Sequence, residues 1–596
     1  MTPRTVFDLL EKTAGEHGAS LALQQPVTVQ KKREYRHWTY AEFHQASREI
    51  GAGLASLGLR KGDIVALNSE TRAEFYLVDL ALMGIGCVAA ALYPSYPAAE
   101  LLKTIASADA KALFVEDPET FQALKTAPVQ QFFLLSGEAE GAMSLHQLRA
   151  LGKEALRDPA YWQSLASAVQ PEDPAILYLT SGATGDPKMV LVTHHALVSN
   201  LNAGPAVLPL TPDDVTIAFL PSAHIAQRVV VELLPIYFGA QVAFAESLMK
   251  LPQEIKHVRP TLFLAPPRMW ERVYSTICTE IKKKPALMRK IFYASVGLGT
   301  AAARYRRLNK AVPPHIRIPL QLADRVVFSK IRQRFGGRLR IAASGAAPLG
   351  KDLAEFYEAV GMPLIEGYGL TEGGVTAFNP LSGAKPGSIG KPLPGVTVHI
   401  AEDGELLLRS AFQFAGYYKD PAATSEVLRD GWLHTGDVGH ADSDGFFYIT
   451  GRKKELIVSS NGKKIFPSRV ENLFKFEPLI SQVLLVGDRL PFLTALFTVH
   501  ANVAESLPGM DSYKGKPAEE VAVAPAVQAE VQKIVSRVNK QLAPFEQVRK
   551  FRLLPRDFTI EQGELTATMK VRRQNVIRNF QSDIDALYQG REGSDL

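Results

Sequence analysis

The stretch Tyr178-Leu179-Thr180-Ser181-Gly182-Ala183-Thr184-Gly185-Asp186-Pro187-Lys188 constrains the fold more than any other segment of the chain. The apolar run Ala175 to Leu179 leads into it, and a second one, Met189 to Val192, follows at once. Short apolar runs bounded by Gly and Pro are the pattern of buried strands, so the segment predicts a strand–loop–strand unit. In the loop, backbone N–H groups, the hydroxyls of Thr180, Ser181 and Thr184 and the Lys188 ammonium are placed to converge on one anion. Gly182 and Gly185 permit the close approach and positive φ such a nest needs, and a polyphosphate is its natural guest. A plain polar turn between strands is the alternative. A Walker A loop is disfavoured. Only two residues separate Gly182 from Gly185, Pro187 precedes Lys188, and Met189 stands where the magnesium-binding hydroxyl belongs.

At 596 residues the chain exceeds what one core supports, so several folding units are expected. Helical apolar spacing in Ala41 to Leu57 and Glu74 to Met83 alternates with strand-like runs at Ile64 to Leu67, Ala112 to Val115 and Phe132 to Leu135. This alternation predicts a layered α/β architecture. Further short strands are expected at Val215 to Leu220, Thr261 to Leu264 and Leu339 to Ala343. Beyond Gly390 the pattern changes to hairpins, with strands at Val396 to Ile400, Glu405 to Arg409 and Phe446 to Thr450 and turns at Asp403-Gly404 and Asp444-Gly445. Gly451-Arg452-Lys453-Lys454-Glu455 reads as an exposed hinge and divides the chain into residues 1–450 and 451–596. Past it, Leu456 to Ser459, Val483 to Val486 and Leu493 to Val499 predict a small sheet, Pro525 to Leu542 a helix, and Ala501 to Glu520 a surface loop.

The longest apolar stretch, Leu80 to Tyr93, is shorter than the ~20 residues a membrane-spanning helix requires and reads as a core helix running into a strand. Met1 to Gly18 carries Asp8, Glu11 and Glu16 and does not read as a secretory signal. The two cysteines, Cys87 and Cys278, cannot form a zinc cluster or disulfide framework and suit buried thiols in a reducing compartment, so a cytoplasmic location is expected. The net charge of +6 is modest, but its distribution is uneven. Between Val273 and Arg340 a long series of Lys and Arg is opposed only by Glu280 and Asp324. That segment is either a solvated helical face or a contact for an anionic membrane, at the inner face, or for a phosphorylated cofactor. Sparse aromatics and the lack of a recognisable module argue against nucleic-acid binding.

Four more segments join the loop. Ile341-Ala342-Ala343-Ser344-Gly345-Ala346-Ala347-Pro348 is a strand ending in small residues, against which a flat ring is able to lie. Tyr368-Gly369-Leu370-Thr371-Glu372 groups an aromatic, a hydroxyl and a carboxylate. Gly431 to Asp437 ends in an acidic residue, and Leu565-Thr566-Ala567-Thr568-Met569-Lys570 presents a lysine. Each alone has a structural reading: tight packing, a core tyrosine, a turn aspartate, a surface lysine. In this order they resemble the adenylate-forming superfamily of AMP-binding enzymes, from about Thr39 to about Arg573, while Leu220 to Arg228 and the basic insertion after Trp270 resemble its long-chain fatty acid–CoA ligases in particular.

The resemblance implies a large multi-subdomain α/β adenylate-forming domain over 1–450, with a basic helical insertion at about 273–338, and a small mobile α+β domain over 451–596. It implies that Thr180, Ser181, Gly182, Thr184, Gly185 and Lys188 hold the β- and γ-phosphates of ATP. Gly345, Ala346 and Ala347 line the adenine pocket and Tyr368 stacks on the ring. Thr371 reaches the α-phosphate and Glu372 binds Mg2+, a hard cation suited to oxygen. Asp437 holds the ribose hydroxyls, Arg452 the ribose or phosphate, Lys454 is the hinge and Lys570 the catalytic lysine. Leu220 to Arg228 resembles the segment lining the acyl site, with His224 near the carboxylate or the tunnel mouth, although a structural histidine is the alternative. Pro266 to Trp270 reads as framework. Two departures from the family loop are Ala183, where Thr or Ser is usual, and Met189, where Gly is usual.

The implied reaction turns a fatty acid into an acyl-adenylate and then a thioester of coenzyme A. Competing expectations are an acyl-AMP ligase that loads a carrier protein and a catalytically weak acyl or nucleotide sensor.

Overall fold

The structure is a computed structural model that describes residues 3–29, 32–180, 188–308, 310–513, 515–566 and 569–589. Among the described residues, an eight-stranded sheet contains the parallel strands Ile64–Asn68, Val88–Ala91 and Ala112–Val115. Pro174–Thr180 joins this sheet beside Val88–Ala91, and Lys188–Thr193 pairs antiparallel with it. A nine-stranded sheet holds the parallel series Gln241–Phe244, Val215–Ala218, Leu262–Ala265, Ile341–Ser344 and Leu364–Leu370. Several of these strands are only four residues long and buried throughout. Parallel strands covered by helices on both faces need such continuous apolar runs rather than alternation. The covering helices start where capping chemistry dictates: the Thr39 hydroxyl and the Glu42 carboxylate satisfy each other's backbone N–H before helix Tyr40–Ser56.

A five-stranded antiparallel sheet follows, including Thr397–Ile400, Glu405–Arg409, Trp432–Ala441 and Phe447–Arg452. The C-terminal region builds its own sheet from Ile480–Val486, Leu493–Val499 and Val548–Leu553. Helices Pro467–Lys475 and Pro525–Asn539 pack on it around Val470, Phe474, Phe497 and Val531. Cys87 and Cys278 are buried free thiols. Among the described residues no helix is long and apolar enough to cross a membrane.

Leu456 to Ser459 does not join the small sheet, since Ile457–Val458 pairs with Lys464–Ile465 in a separate two-stranded ribbon, and two further expectations differ from the structure. The segment Ala501 to Glu520 is not a surface loop: it contains helix Ala501–Ala504, a 3-10 turn Asp511–Tyr513 and the start of helix Ala518–Ala522. Val503, Ala504 and Met510 are buried in the C-terminal core. Its prolines and glycines punctuate isolated apolar anchors too widely spaced to read as a helical repeat. The second difference is at Gly451 and Arg452, which extend strand Phe447–Arg452, so that the turn falls at Lys453–Glu455. Gly451 serves close packing, since a Cβ there would lie 2.3 Å from the Phe466 ring.

The basic insertion consists of helices Pro267–Lys282, Ala286–Arg307 and Pro314–Ala323. Helix Ala286–Arg307 crosses Lys351–Ala359 so tightly that a Cβ on Gly299 would meet the Ala359 carbonyl at 2.1 Å. Trp270 is fully buried, its Nε1 donating to the Ala265 carbonyl at 3.2 Å.

Behind the segment Leu220 to Arg228 runs a π-helix, Gln227–Leu233, which inserts polar groups into the core. Arg228 and Asp79 form an ion pair with neither side chain exposed, and Gln227 Nε2 donates to the Tyr76 hydroxyl at 2.9 Å. Glu232 is equally buried, and both of its carboxylate oxygens lack a protein partner. Burial pushes its carboxyl up to about 8 against the pull of Arg228. A neutral Glu232 leaves the Arg228–Asp79 pair balanced, which is why the core tolerates three ionisable side chains. The native state therefore keeps a proton on Glu232 that the unfolded chain releases near 4.5. Stability from this group is complete below that pH and is lost as pH rises through about 8. Glu232→Gln should remove up to ~1.4 kcal/mol of pH dependence per unit across this window, measured by denaturant unfolding at pH 5 and pH 8.

Candidate active site

The strand–loop–strand unit forms one wall of the site. Thr180 stands opposite Lys188 in the antiparallel ladder, and its Oγ1 donates to the Lys188 carbonyl at 3.1 Å. Ser181, Gly182, Thr184 and Gly185 lie outside the described residues, as does Ala183. Met189 packs into the apolar clusters around Leu179 and Leu177, so its bulk is taken up by the core. The Lys188 ammonium sits 4.5 Å above the ring of Tyr417, whose hydroxyl donates to Glu372 Oε1 at 2.8 Å. Tyr417 reaches this place because strand Gly416–Tyr417 pairs antiparallel with Lys188–Thr193.

Gly345, Ala346 and Ala347 follow the carboxyl end of Ile341–Ser344, a central parallel strand. Open α/β sheets take ligands at that end of their strands. Ala346 has φ +69°, a left-handed conformation that costs a non-glycine residue about 1–3 kcal/mol and turns the chain sharply away from the sheet. The loop is tied back by the Leu349 N–H, which donates to Glu366 Oε1 at 3.0 Å. Burial pushes the Glu366 carboxyl up to about 8.

The neighbouring strand Leu364–Leu370 runs parallel to Ile341–Ser344 and carries Tyr368. Thr371 and Glu372 occupy the turn between it and Gly374–Phe378. The Tyr368 hydroxyl donates to Asp437 Oδ2 at 2.6 Å, and Arg452 Nε lies 2.9 Å from Asp437 Oδ1. Asp437 and Arg452 are directly opposite in the pairing of Trp432–Ala441 with Phe447–Arg452. Asp437 is buried, and its two oxygens are held by groups from two different sheets. Burial, then Asp437, holds the Tyr368 phenol well above its usual range, so it remains a donor.

Lys570 enters from the C-terminal region on a tight turn in which Thr566 N–H donates to the Lys570 carbonyl at 2.8 Å. The Lys570 N–H returns a bond to Thr566 Oγ1 at 3.1 Å. Its side chain stands in a cleft open to solvent, yet enough protein crowds it to draw its pKa down to about 8. Arg452 pushes the same way, while Asp437, Glu372 and Glu455 oppose. Burial, and after it the charge of Lys570, depresses His224 to about 3, so its imidazole is neutral at physiological pH. His224 Nδ1 accepts the Ala226 N–H at 3.2 Å, which fixes the ring.

Contacts between the two regions hold Lys570 over the site. Arg572 Nη2 donates to the Tyr96 hydroxyl at 3.3 Å, and Ser275 Oγ to the Pro478 carbonyl at 2.8 Å. Tyr274 stacks on Phe476 with ring centroids 4.8 Å apart, and Arg268 lies 3.5 Å from Asp557. Lys454 is exposed on the turn Lys453–Glu455, away from these contacts.

Tyr368 and Arg452 thus both touch Asp437, Lys188 and Glu372 meet through Tyr417, and Lys570 shares its field with His224, Arg452, Asp437 and Glu372. Sequence reading did not find Tyr417, Arg572 or Tyr96. Their partners are distant in the chain, and Gly416-Tyr417-Tyr418 carries only the signal of an aromatic pair after a glycine.

Comparison with known proteins gives the geometry a family. The profile of the AMP-binding enzyme matches residues 10–418, and that of the AMP-binding enzyme C-terminal domain matches residues 454–592. The long-chain-fatty-acid–CoA ligase FadD15 of Mycobacterium tuberculosis is 36% identical over 569 residues, covering 92% of both chains. The peroxisomal long chain acyl-CoA synthetase 6 of Arabidopsis thaliana is 30% identical over 595 residues, covering 94% of this chain and 83% of its own. The crystal structure of the adenylation domain of a carboxylate reductase from Mycobacterium chelonae superposes with a TM-score of 0.76 at 22% identity, covering 98% of this chain and 91% of that one. The fold is accordingly a large N-terminal adenylate-forming domain followed by a small C-terminal domain. Two family profiles matched in chain order, with relatives aligned almost end to end, establish that this chain belongs to the AMP-binding enzyme family.

Proposed function

We propose that the protein activates a long-chain fatty acid with ATP and transfers the acyl group to coenzyme A. The observation that carries this reading is the convergence of Lys570, Arg452, Asp437 and Glu372 on one cleft, in a chain whose relatives are named long-chain-fatty-acid–CoA ligases. A free carboxylate resists nucleophiles, because its charge repels them and oxide is a poor leaving group. In the first step a carboxylate oxygen bonds to the α-phosphorus of ATP as the bond to the β-phosphate oxygen breaks, releasing pyrophosphate. In the second the coenzyme A sulfur bonds to the acyl carbon and AMP leaves.

Catalysis of the first step is a matter of positioning and of cations aimed at the developing charge. Lys188 and the loop before it take the β- and γ-phosphates, Thr371 and Lys570 the α-phosphate side. Gly345 to Ala347 and Tyr368 bound the adenine. Each oxygen of Asp437 has a second lone pair, so ribose hydroxyls are able to share it with Tyr368 and Arg452. Glu372 would hold Mg2+: Tyr417 engages one of its oxygens, and among the described residues no cluster of three potential ligands stands ready as a dedicated metal cage. A single carboxylate completed by phosphates and water suits Mg2+, which when bound supplies positive charge at the phosphate oxygens. A neutral His224 offers a hydrogen bond to the fatty carboxylate without trapping it as an ion pair.

The C-terminal domain rotates about Lys454 between the two steps, withdrawing Lys570 to admit the thiol. Lys570→Ala should slow pyrophosphate release on a long-chain acid such as oleate by about 100- to 1,000-fold while sparing thioester formation from supplied acyl-adenylate. Lys454→Pro should do the reverse. Equal loss of both half-reactions in both variants excludes these roles, and AMP release that ignores coenzyme A points to a carrier-protein acceptor.

The ammonium of Lys570, with its pKa about 8, is the charged form the first step needs. The adenylation rate should therefore fall as pH rises through about 8, while transfer to the thiol, which works as thiolate, rises over the same range. Parallel pH profiles of the half-reactions check this.

The acid reaches the enzyme from a membrane. Helices Ala286–Arg307 and Pro314–Ala323 pack together and expose Leu287, Ile291, Ile318 and Leu322. Arg289, Lys290, Arg317 and Arg325 are exposed beside them, whereas Arg332, Arg334 and Arg307 are neutralised by carboxylates. An apolar row rimmed by free cations fits the interface of an anionic bilayer. Co-sedimentation with vesicles should require anionic lipid, weaken with salt, and fall at least fivefold in Ile318→Ser/Leu322→Ser; binding indifferent to lipid charge would exclude this surface.

A further inference from the structure

We infer that Tyr417 is a positioning residue that keeps Lys188 and Glu372 apart as two separately usable charges. The inference rests on the reading above, in which Lys188 faces phosphate and Glu372 faces the metal, and it adds a group that neither the motif pattern nor the comparisons assign.

An ammonium and a carboxylate on adjacent walls of a half-buried cleft attract one another strongly. Left to themselves they would close into an ion pair, and each would have to be pulled out of it before a phosphate or a cation could bind. Among the described residues Lys188 and Glu372 do not form that pair. The phenol ring of Tyr417 stands between them: Lys188 rests 4.5 Å over its face, and its hydroxyl donates to Glu372 Oε1 at 2.8 Å. The ring meets the cation with its quadrupole and the anion with one hydrogen bond, and neither contact neutralises the charge as a direct ion pair would. Glu372 keeps its second oxygen uncommitted, and Lys188 keeps the ammonium protons that do not face the ring.

The tyrosine is itself held rigidly. Strand Gly416–Tyr417 pairs with Lys188–Thr193, which sets Tyr417 opposite Val190 and diagonally across from Lys188. Its backbone N–H donates to Thr424 Oγ1 at 2.9 Å, and Phe414 packs edge-on at 5.0 Å between centroids. The Phe414 N–H donates to the Glu372 carbonyl at 2.9 Å, so backbone and side chain of Glu372 are both positioned by the same short segment. Burial and the neighbouring carboxylate hold the phenol far above its usual range, so it stays a donor.

Two variants separate the spacer from the hydrogen bond. Tyr417→Phe keeps the ring under Lys188 but frees Glu372; Tyr417→Leu removes both. Binding of MgATP without fatty acid, measured by calorimetry, should weaken about tenfold in Tyr417→Phe, with a higher Mg2+ requirement. In Tyr417→Leu, where the ion pair is free to close, it should weaken by a further tenfold or more. In turnover the loss should appear in KM for MgATP more than in kcat for pyrophosphate release, and thioester formation from supplied acyl-adenylate should remain within twofold of the unmodified protein. A Tyr417→Phe protein with unchanged MgATP affinity and Mg2+ requirement overturns the inference, as does equal damage in both half-reactions, which marks a merely structural tyrosine. If the unmodified protein binds MgATP but turns over no fatty acid, the proposed reaction fails while the binding series still decides the role of Tyr417.

Discussion

The arrangement of the whole site depends on one buried carboxylate. Asp437 is buried, and a carboxylate taken out of water needs hydrogen-bonding or charged partners in its place. Its partners come from different layers: Tyr368 from the sheet that carries the loop Gly345 to Ala347, and Arg452 from the strand that leads to the C-terminal domain. The pairing therefore fixes a pocket wall and, through Arg452, the starting direction of the turn Lys453–Glu455. Water is able to replace part of the hold of the half-exposed Arg452, but loss of the Tyr368 hydroxyl would leave a buried carboxylate oxygen short of a donor, a defect of about 1–3 kcal/mol.

The surrounding protein then sets the charge state of the groups around it. Lys570 is drawn down to about 8 and His224 to about 3, while Glu366 is pushed up to about 8. One cation that deprotonates readily thus faces an imidazole that is already neutral. These groups carry fewer fixed charges than their residue types suggest. The basic insertion is the opposite case: Arg289, Lys290, Arg317 and Arg325 are exposed to water, where a charge costs little to keep.

Much of the fold was legible because its strands are short, uniformly apolar and punctuated by Gly, Pro or Asp-Gly. Helix Ala73–Gly84 running towards strand Val88–Ala91, and the hairpins turning at Gly404 and Gly445, follow from local pattern alone. Pattern failed at Ala501 to Glu520, where single apolar residues separated by breakers still find places in a core. It also placed Gly451 past the strand end, whereas the strand runs on through Arg452 and the missing side chain of Gly451 makes room for Phe466.

What the sequence by itself determined is the layered α/β architecture, the order of the motifs and the chemical type of each polar group. Those properties are local: they depend on side-chain period, turn residues and ionisable groups within a few positions of one another. Only the tertiary structure decided which of those groups share a field. Tyr417 stands between Lys188 and Glu372 through a strand pairing formed across more than half the site's sequence span, and Lys570 meets Arg452 only because two domains dock. Contacts of that kind are fixed by the packing of whole sheets, and packing leaves no periodic trace in the chain.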